Sequence, residues 1–345
     1  MSTQRALQIQ GLKEAKVVDI SIPPLRPDYV KVKPVAVALN PTDWKHIDNR
    51  GPKGAIVGCD YAGVVEEVGG SVKNGLKIGD RVAGFVHGSN ESNPEDGGFA
   101  EHIIAKPVVQ TKIPDDLSFE EASTLGVGIS TVAQGLYQSL GLPLPSEPAP
   151  KPFPVLIYGG STATGTLAIQ FAKLSGLTVL TTCSPHNFDL VKSYGADQVF
   201  DYKSPNVGAE IRGATNDSLE YVFDCIATSN AAAISAEAIS SKGGKYSSLL
   251  VVKDFPRNDV KNSVTLAYTG VGEWFKKGDT EFPASEEDML FQEKFWKLTG
   301  ELLAEKKIRT HPHQVRDGGL DGILSGLKDL KEDKVSGVKL VYRIS

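Results

Sequence analysis

The chain has 345 residues, 40% of them hydrophobic, enough to bury one large core or two moderate ones. Its 37 Lys and Arg stand against 42 Asp and Glu, a formal net charge of −5 that argues against a nucleic-acid binder and its basic stripe. No run approaches the roughly 20 apolar residues that span a bilayer, "MSTQRALQIQ" carries no secretory leader, and Cys59, Cys183 and Cys225 form neither a disulfide framework nor a zinc spacing, so a cytoplasmic protein is expected.

The first 115 residues or so read as β-rich. "YVKVKPVAVALN", "YAGVVEEVG" and "GDRVAGFV" alternate or run in β-branched residues with Gly and Pro between them, which predicts a compact, irregular barrel. From Ser118 the pattern turns helical: "SFEEASTLGVGISTVAQGLYQSLG" opens with Ser118 three residues before Glu121, a capping-box spacing. "GLPLPSEPAPKPFP" follows, with six prolines in fourteen residues, and predicts an extended surface loop.

Strand and helix then alternate. Strands are predicted at "PVLIY", "TVLTT", "DQVFDY", "LEYVFDC", "GKYSSLL" and "KNSVTLAY", with helices at "FDLVKSYGA" and "SNAAAISAEAIS" between them. Apolar strands in this alternation predict an α/β fold, a doubly wound parallel sheet covered on both faces. The last stretch holds an amphipathic helix, "SEEDMLFQEKFWKLTGELLAEKKI", then "GLDGILSGLKDLKED" and a final strand "SGVKLVYRI" that looks like a return to the first domain. "KNSVTLAY" is either an edge strand that pairs across a dimer or a covered one.

The first strand of that series runs into "YGGSTATGTLAIQFAKLSG". Read as G-x-G-x-x-G, the turn has Gly160 and Gly165 at the first and third positions and Thr162 at the second. Ser161 and Thr162 are expected to offer hydroxyl and amide hydrogens to phosphate oxygens, and with Ala163 and Thr164 they open a helix whose dipole favours the negative charge. After the second strand, Thr181 to Asn187 contain no carboxylate for a ribose 2′-hydroxyl. Ser184, His186 and Asn187 are polar donors suited to a 2′-phosphate, hence to NADPH, while Ser184-Pro185 also reads as a helix cap.

"LNPTDWKH", "GCDYAGVVEEVG" and "GDRVAGF", followed by the Rossmann unit, resemble the medium-chain dehydrogenase/reductase superfamily along nearly the whole chain. "GISTVAQ", "GLPLPS", "YGGSTATGT", "CSPHNFDLVKSYGADQVFDY" and "SGVKLV" are similar to its zinc-free fungal branch. That branch includes the trans-acting enoyl reductases of polyketide synthases and related toxin-cluster reductases. "NPTDWKHID" also resembles yeast aldehyde and quinone reductases.

The resemblance implies a GroES-like catalytic domain over 1–125, a Rossmann domain over 126–279, a return to the catalytic domain over 280–345, and a cleft between them. Zinc-binding members carry Cys and His where this chain has Asn40 and Cys59, and the structural four-cysteine lobe is absent, so no zinc is expected. Cys59 then reads as a buried small residue, and Tyr61 as a tyrosine packed under the barrel.

By the same resemblance Thr42, Asp43, Trp44 and Lys45 border the nicotinamide ribose, and Lys45 binds the cofactor or supplies charge near an enolate; Asp43 also suits the helix dipole. Pro185 belongs with the 2′-phosphate contacts, Tyr202 lies near the adenine, Leu249 and Leu250 near the nicotinamide, and Ser336 and Gly337 are cofactor neighbours. Gly128, Ile129, Ser130, Thr131, Val132, Ala133, Gln134 and Gly135 border substrate, and Thr269, Gly270, Val271, Gly272 and Glu273 line its far side. The remaining histidines read as structural.

Without a metal to polarise a carbonyl, a conjugated C=C bond is the easier target, since charge develops on an enolate that a few donors can hold. The expected activity is NADPH-dependent reduction of an α,β-unsaturated acyl group, presented as a thioester by a polyketide synthase carrier domain. The alternatives are a reductase of free aldehydes, enals or quinones, and a cofactor-binding regulatory or structural protein.

Overall fold

The computed structural model describes residues 2–344. Residues up to Ser130 together with those from Ala267 onward form one compact unit, and Thr131–Leu266 form another.

In the first unit β1 (Thr3–Gly11) and β2 (Glu14–Ser21) pair antiparallel. They are followed by β3 (Val30–Ala38), α1 (Pro41–Asn49), β4 (Asp60–Val68), β5 (Arg81–Phe85), β6 (Ile103–Ala105) and β7 (Gln110–Lys112). The register of β3 on β4 shifts at Pro34, where a residue without an N–H would otherwise interrupt the ladder.

The single helix expected after Ser118 is broken in two. α2 (Phe119–Ala122) carries the predicted capping box, with the Ser118 hydroxyl accepting the Glu121 N–H and the Glu121 carboxylate accepting the Ser118 N–H. The chain restarts as α3 (Gly126–Val132) because the Asp60 carboxylate takes the Val127 N–H at 2.6 Å, and continues as a π-helical stretch over Ala133–Ser139. Asp60 is itself held by Lys339, a fully buried ion pair.

The proline-rich stretch has no regular structure before its last residue, Pro154, opens a strand, and it is not wholly superficial. Leu142 is buried, and the Ala149 N–H donates to the Ser175 carbonyl.

The second unit contains β8 (Pro154–Tyr158), α4 (Ala163–Leu174), β9 (Thr178–Cys183), α5 (Phe188–Ser193), β10 (Gln198–Asp201), α6 (Val207–Ala214), β11 (Tyr221–Asp224), α7 (Ser229–Ala238), β12 (Gly244–Ser248) and β13 (Val260–Val264). The six strands are all parallel in the order β10-β9-β8-β11-β12-β13. This order reverses between β8 and β11, the switch point of a doubly wound sheet. β13 forms one edge of it, and Val264 there is exposed. Leu156, Leu180, Val222 and Tyr246 lie in its core.

The chain then returns to the first unit through β14 (Phe275–Lys277), β15 (Thr280–Phe282), α8 (Glu286–Ala304), β16 (His313–Arg316), α9 (Gly319–Lys331) and β17 (Lys339–Arg343). β17 completes the sheet β16-β17-β3-β4-β5-β7, with β6 also on β3. Leu320, Ile323 and Leu327 of α9 pack into the same core as Val32, Val37 and Tyr61. Among the described residues no helix is long and apolar enough to cross a membrane.

Candidate active site

In the second unit, β8 ends at Tyr158 and the chain turns through Gly159 (φ +82°) into α4. The positive-φ glycine of this turn is Gly159, one residue before the Gly160 that the sequence motif placed first. Gly165 is the close-approach glycine: a Cβ there would lie 2.3 Å from the Gly159 carbonyl oxygen. The Thr162 hydroxyl accepts the Gly165 N–H at 2.9 Å and donates to the Gly159 carbonyl at 2.8 Å. It is therefore the helix cap, and its hydroxyl is not free to serve a phosphate. What the turn offers an anion is backbone: Ala163 and Thr164 head the helix, with no intrahelical carbonyl behind their N–H groups, beside Ser161.

At the end of β9, Ser184 and Pro185 open a short 3₁₀ turn over Pro185–Asn187. The Ser184 carbonyl accepts the Asn187 N–H, but its hydroxyl makes no cap bond. His186 is exposed and Asn187 buried. Tyr202 follows β10 half-buried, with Lys203 Nζ 5.7 Å from its ring centroid. Leu249 and Leu250 follow β12, the first half-buried and the second exposed. Asp224, at the C-terminal end of β11, accepts from the Tyr246 hydroxyl at 2.6 Å and from the Ile226 and Ala227 N–H groups, and burial pushes its carboxyl up. It shapes the loop after β11 at the ligand-bearing end of the sheet; no local motif singles it out.

In the first unit, α1 begins at Pro41 after the Asn40 cap. The Asn40 N–H donates to Asp43 Oδ2 at 2.7 Å, so Asp43 serves its own helix start. Burial pushes the Asp43 carboxyl up to about 8, against the downward pull of the Asn40 N–H, and the Asp60 charge adds to the rise. Trp44 packs on the barrel core. Lys45 is half-buried, its ammonium 5.6 Å from the Trp44 ring centroid, and burial lowers its pKa.

Thr42 Oγ1 shares a hydrogen bond with the Tyr268 hydroxyl at 2.9 Å and lies 3.1 Å from His46 Nδ1. His46 Nδ1 is also 2.8 Å from the Thr42 carbonyl, which can only accept, so Nδ1 carries the proton. Burial, and then the Lys277 charge, lower the His46 pKa to about 4 and keep the imidazole neutral near pH 7.

Cys59 Sγ stands 3.7 Å from the Tyr268 hydroxyl, and burial pushes its thiol well up, away from nucleophilic reactivity. His87 stacks on Tyr268 at 4.0 Å between centroids, and Lys277 Nζ lies 4.6 Å from the same ring centroid. Burial, with the Arg50 charge adding to it, lowers Lys277 to about 8. Tyr268 thus gathers residues that are far apart in the chain. Of these, Thr42 carries a sequence-based site expectation; His46, His87 and Lys277 carry none.

The segment Gly128–Gly135 lies along α3 and the π-helical stretch. Ser130 Oγ accepts the Trp296 indole N–H at 2.9 Å, and its carbonyl accepts from Gln292 Nε2. Thr269, Gly270 and Val271 belong to the 3₁₀ turn that carries Tyr268, and Gly272 follows it. Thr269 donates to Asp288 at 2.5 Å. Glu273 accepts from the Tyr29 hydroxyl at 2.6 Å and from Lys106 Nζ at 2.9 Å. Ser336 is exposed, and Gly337 has φ +66° just before β17. Tyr61 is fully buried and donates to Gln110 Oε1 at 2.9 Å.

Two family matches cover separate stretches. Residues 26–115 match the alcohol dehydrogenase GroES-like domain, and residues 163–254 the zinc-binding dehydrogenase family. Trans-enoyl reductase ACTTS2 of Alternaria alternata is 53% identical over 347 residues, covering all of both chains. Trans-enoyl reductase TOXD of Cochliobolus carbonum is 55% identical over 276 residues, 80% of this chain and 93% of that one. Among solved structures, the quinone oxidoreductase from Coxiella burnetii has a TM-score of 0.74 at 24% identity, covering all of both chains, and shares the fold.

The second family's description raises zinc, and the donor chemistry at the expected place does not fit it. Asn40 caps α1, the Cys59 thiol is buried against Tyr268, and among the described residues no three His, Cys, Asp or Glu side chains form a group that could hold a metal.

Proposed function

The chain belongs to the fungal trans-enoyl reductase branch of the medium-chain dehydrogenase/reductase superfamily, and from that premise we propose that it reduces the C=C bond of α,β-unsaturated acyl groups of polyketide type, with NADPH and without zinc. The observation that carries this reading is 53% identity to a trans-enoyl reductase along the whole of both chains. The substrate is an acyl thioester on a carrier domain of a polyketide synthase, met in the cytoplasm.

NADPH supplies the hydride when bound. The amides of Ser161, Ala163 and Thr164 at the start of α4 hold its pyrophosphate, with Thr162 fixing the turn around them. Ser184, Pro185, His186 and Asn187 receive the 2′-phosphate, a reading supported by the lack of a carboxylate from Thr181 to Asn187. Tyr202 meets the adenine; Leu249, Leu250, Ser336 and Gly337 complete the cofactor contacts with Thr42, Asp43 and Trp44.

Lys45 provides the positive charge near the enolate oxygen, where a partly desolvated ammonium interacts more strongly than in water. The stretches Gly128–Gly135 and Thr269–Glu273 border the acyl chain.

The test uses NADPH deuterated at its transferable position with a 2-enoyl thioester. Deuterium on the β-carbon of the product supports the reading. Reduction of free aldehydes with the label on the carbonyl carbon, and none of the thioester, overturns it in favour of an aldehyde reductase. Tight NADPH binding with no transfer to any of these acceptors overturns it in favour of a non-catalytic cofactor binder.

A further inference from the structure

At the C-terminal end of α1 lies an open surface cavity of about 490 Å³, most of whose lining side chains are exposed. Arg50, Lys53 and Asn49 line it from the end of α1 and the turn after it; Glu91 and Gly278 line the other side. Among the described residues neither Arg50 nor Lys53 forms an ion pair. The helix end does not occupy the Arg50 side chain, because the backbone N–H groups of Arg50 and Gly51 return to the His46 carbonyl. Gly278 (φ +60°) keeps the opposite wall low: a Cβ there would lie 3.2 Å from Arg50 Nη1.

Several other cations of the same unit are paired. Arg26 pairs with Glu95 and Asp96, Lys106 with Asp28 and Glu273, and Lys331 with Asp48. Arg50 and Lys53 thus bring two cations without an ion pair among the described residues to one cavity. The single carboxylate in the lining, Glu91, accepts the Gly278 N–H at 3.0 Å and so holds the β14–β15 turn. Lys277, next to Gly278, adds a third cation without an ion pair among the described residues, between this cavity and the Tyr268 ring.

A guanidinium fork, an ammonium and an amide are a donor set for a phosphate group. Arg50 follows Thr42 by eight positions, roughly 12 Å along the α1 axis. An anion held at Arg50 therefore sits one linker away from the Thr42, Lys45 and Tyr268 region rather than in it. Resting on the enoyl thioester reading above, we infer that this basic cavity binds the phosphate of the phosphopantetheine arm that presents a carrier-borne acyl thioester.

The test compares kcat/KM for the same 2-enoyl group on pantetheine, on 4′-phosphopantetheine and on CoA. The wild type is expected to prefer the phosphopantetheine thioester to the pantetheine thioester by about tenfold, the scale of one charge-assisted contact. In Arg50→Gln/Lys53→Gln that ratio falls to about one, and in Arg50→Lys/Lys53→Arg most of it remains. Each ratio is taken within one variant, so loss of folded protein does not imitate the result.

A wild-type ratio near one, or a ratio unmoved in the double Gln variant, overturns the inference while reduction of the pantetheine thioester still supports an enoyl reductase. A preference for CoA alone, with phosphopantetheine no better than pantetheine, overturns the assignment to a carrier arm. If none of the three thioesters is reduced, the enoyl reductase reading itself fails.

Discussion

The two candidate centres are built from opposite materials. In the second unit the turn between β8 and α4 works through backbone, with Gly159 and Gly165 allowing the geometry and Thr162 spending its hydroxyl inside the turn. In the first unit the gathering around Tyr268 works through side chains: Thr42 and His46 of α1 meet it together with Cys59, His87 and Lys277 from other parts of the chain. A backbone site depends on a few consecutive residues and tolerates almost no added atom. A side-chain site depends on the whole barrel and loses function one group at a time.

The comparison breaks most sharply at Gly165. Gly165→Ala drives a Cβ against the Gly159 carbonyl, and overpacking of about 3 kcal/mol predicts roughly 100-fold weaker NADPH binding by fluorescence titration. Wild-type affinity would mean the turn does not hold the cofactor. In the first unit, Lys45→Met is expected to lower kcat for the enoyl thioester by about 100-fold, the lower end for loss of a group acting in the transition state. Equal turnover would remove Lys45 from the chemistry.

Smaller effects separate packing from function. Tyr268→Phe keeps the ring on His87 but takes a partner from half-buried Thr42, so denaturant unfolding is expected to show a loss of about 1 kcal/mol. Thr162→Ala is expected to cost about 1 kcal/mol through the lost cap, whereas Thr162→Ser keeps most of it.

A pH-dependent change concerns Asp43. Its carboxyl is pushed up to about 8 in the folded chain, so the folded state binds more protons than the unfolded state between about pH 4 and 8. Stability from this group is present below that window and is lost as the pH rises through it. Asp43→Asn should flatten this part of the stability–pH curve; an unchanged slope would show that other groups cause it.

The doubly wound sheet was legible because each strand and helix announces itself locally: apolar runs such as "PVLIY" and "TVLTT" end at turn residues, and the strands fall close to where those runs lie. The capping box at Ser118 was legible for the same reason. The helix break after it was not, because the cause is Asp60, distant in sequence, taking the Val127 N–H. Within the glycine turn the motif located the phosphate-binding candidate, yet only the folded geometry assigned the Thr162 hydroxyl to the cap.

The sequence by itself determined the class of fold and the position of the glycine turn between β8 and α4, since these rest on residue type and short-range spacing. Tertiary structure alone decided that Thr42, His46, His87 and Lys277 meet at Tyr268, and that Arg50 and Lys53 line one cavity without an ion pair among the described residues. The physical reason is range. Propensity and caps act over a few residues, whereas a buried cluster depends on how strands far apart in the chain are brought together, and no short-range pattern records that.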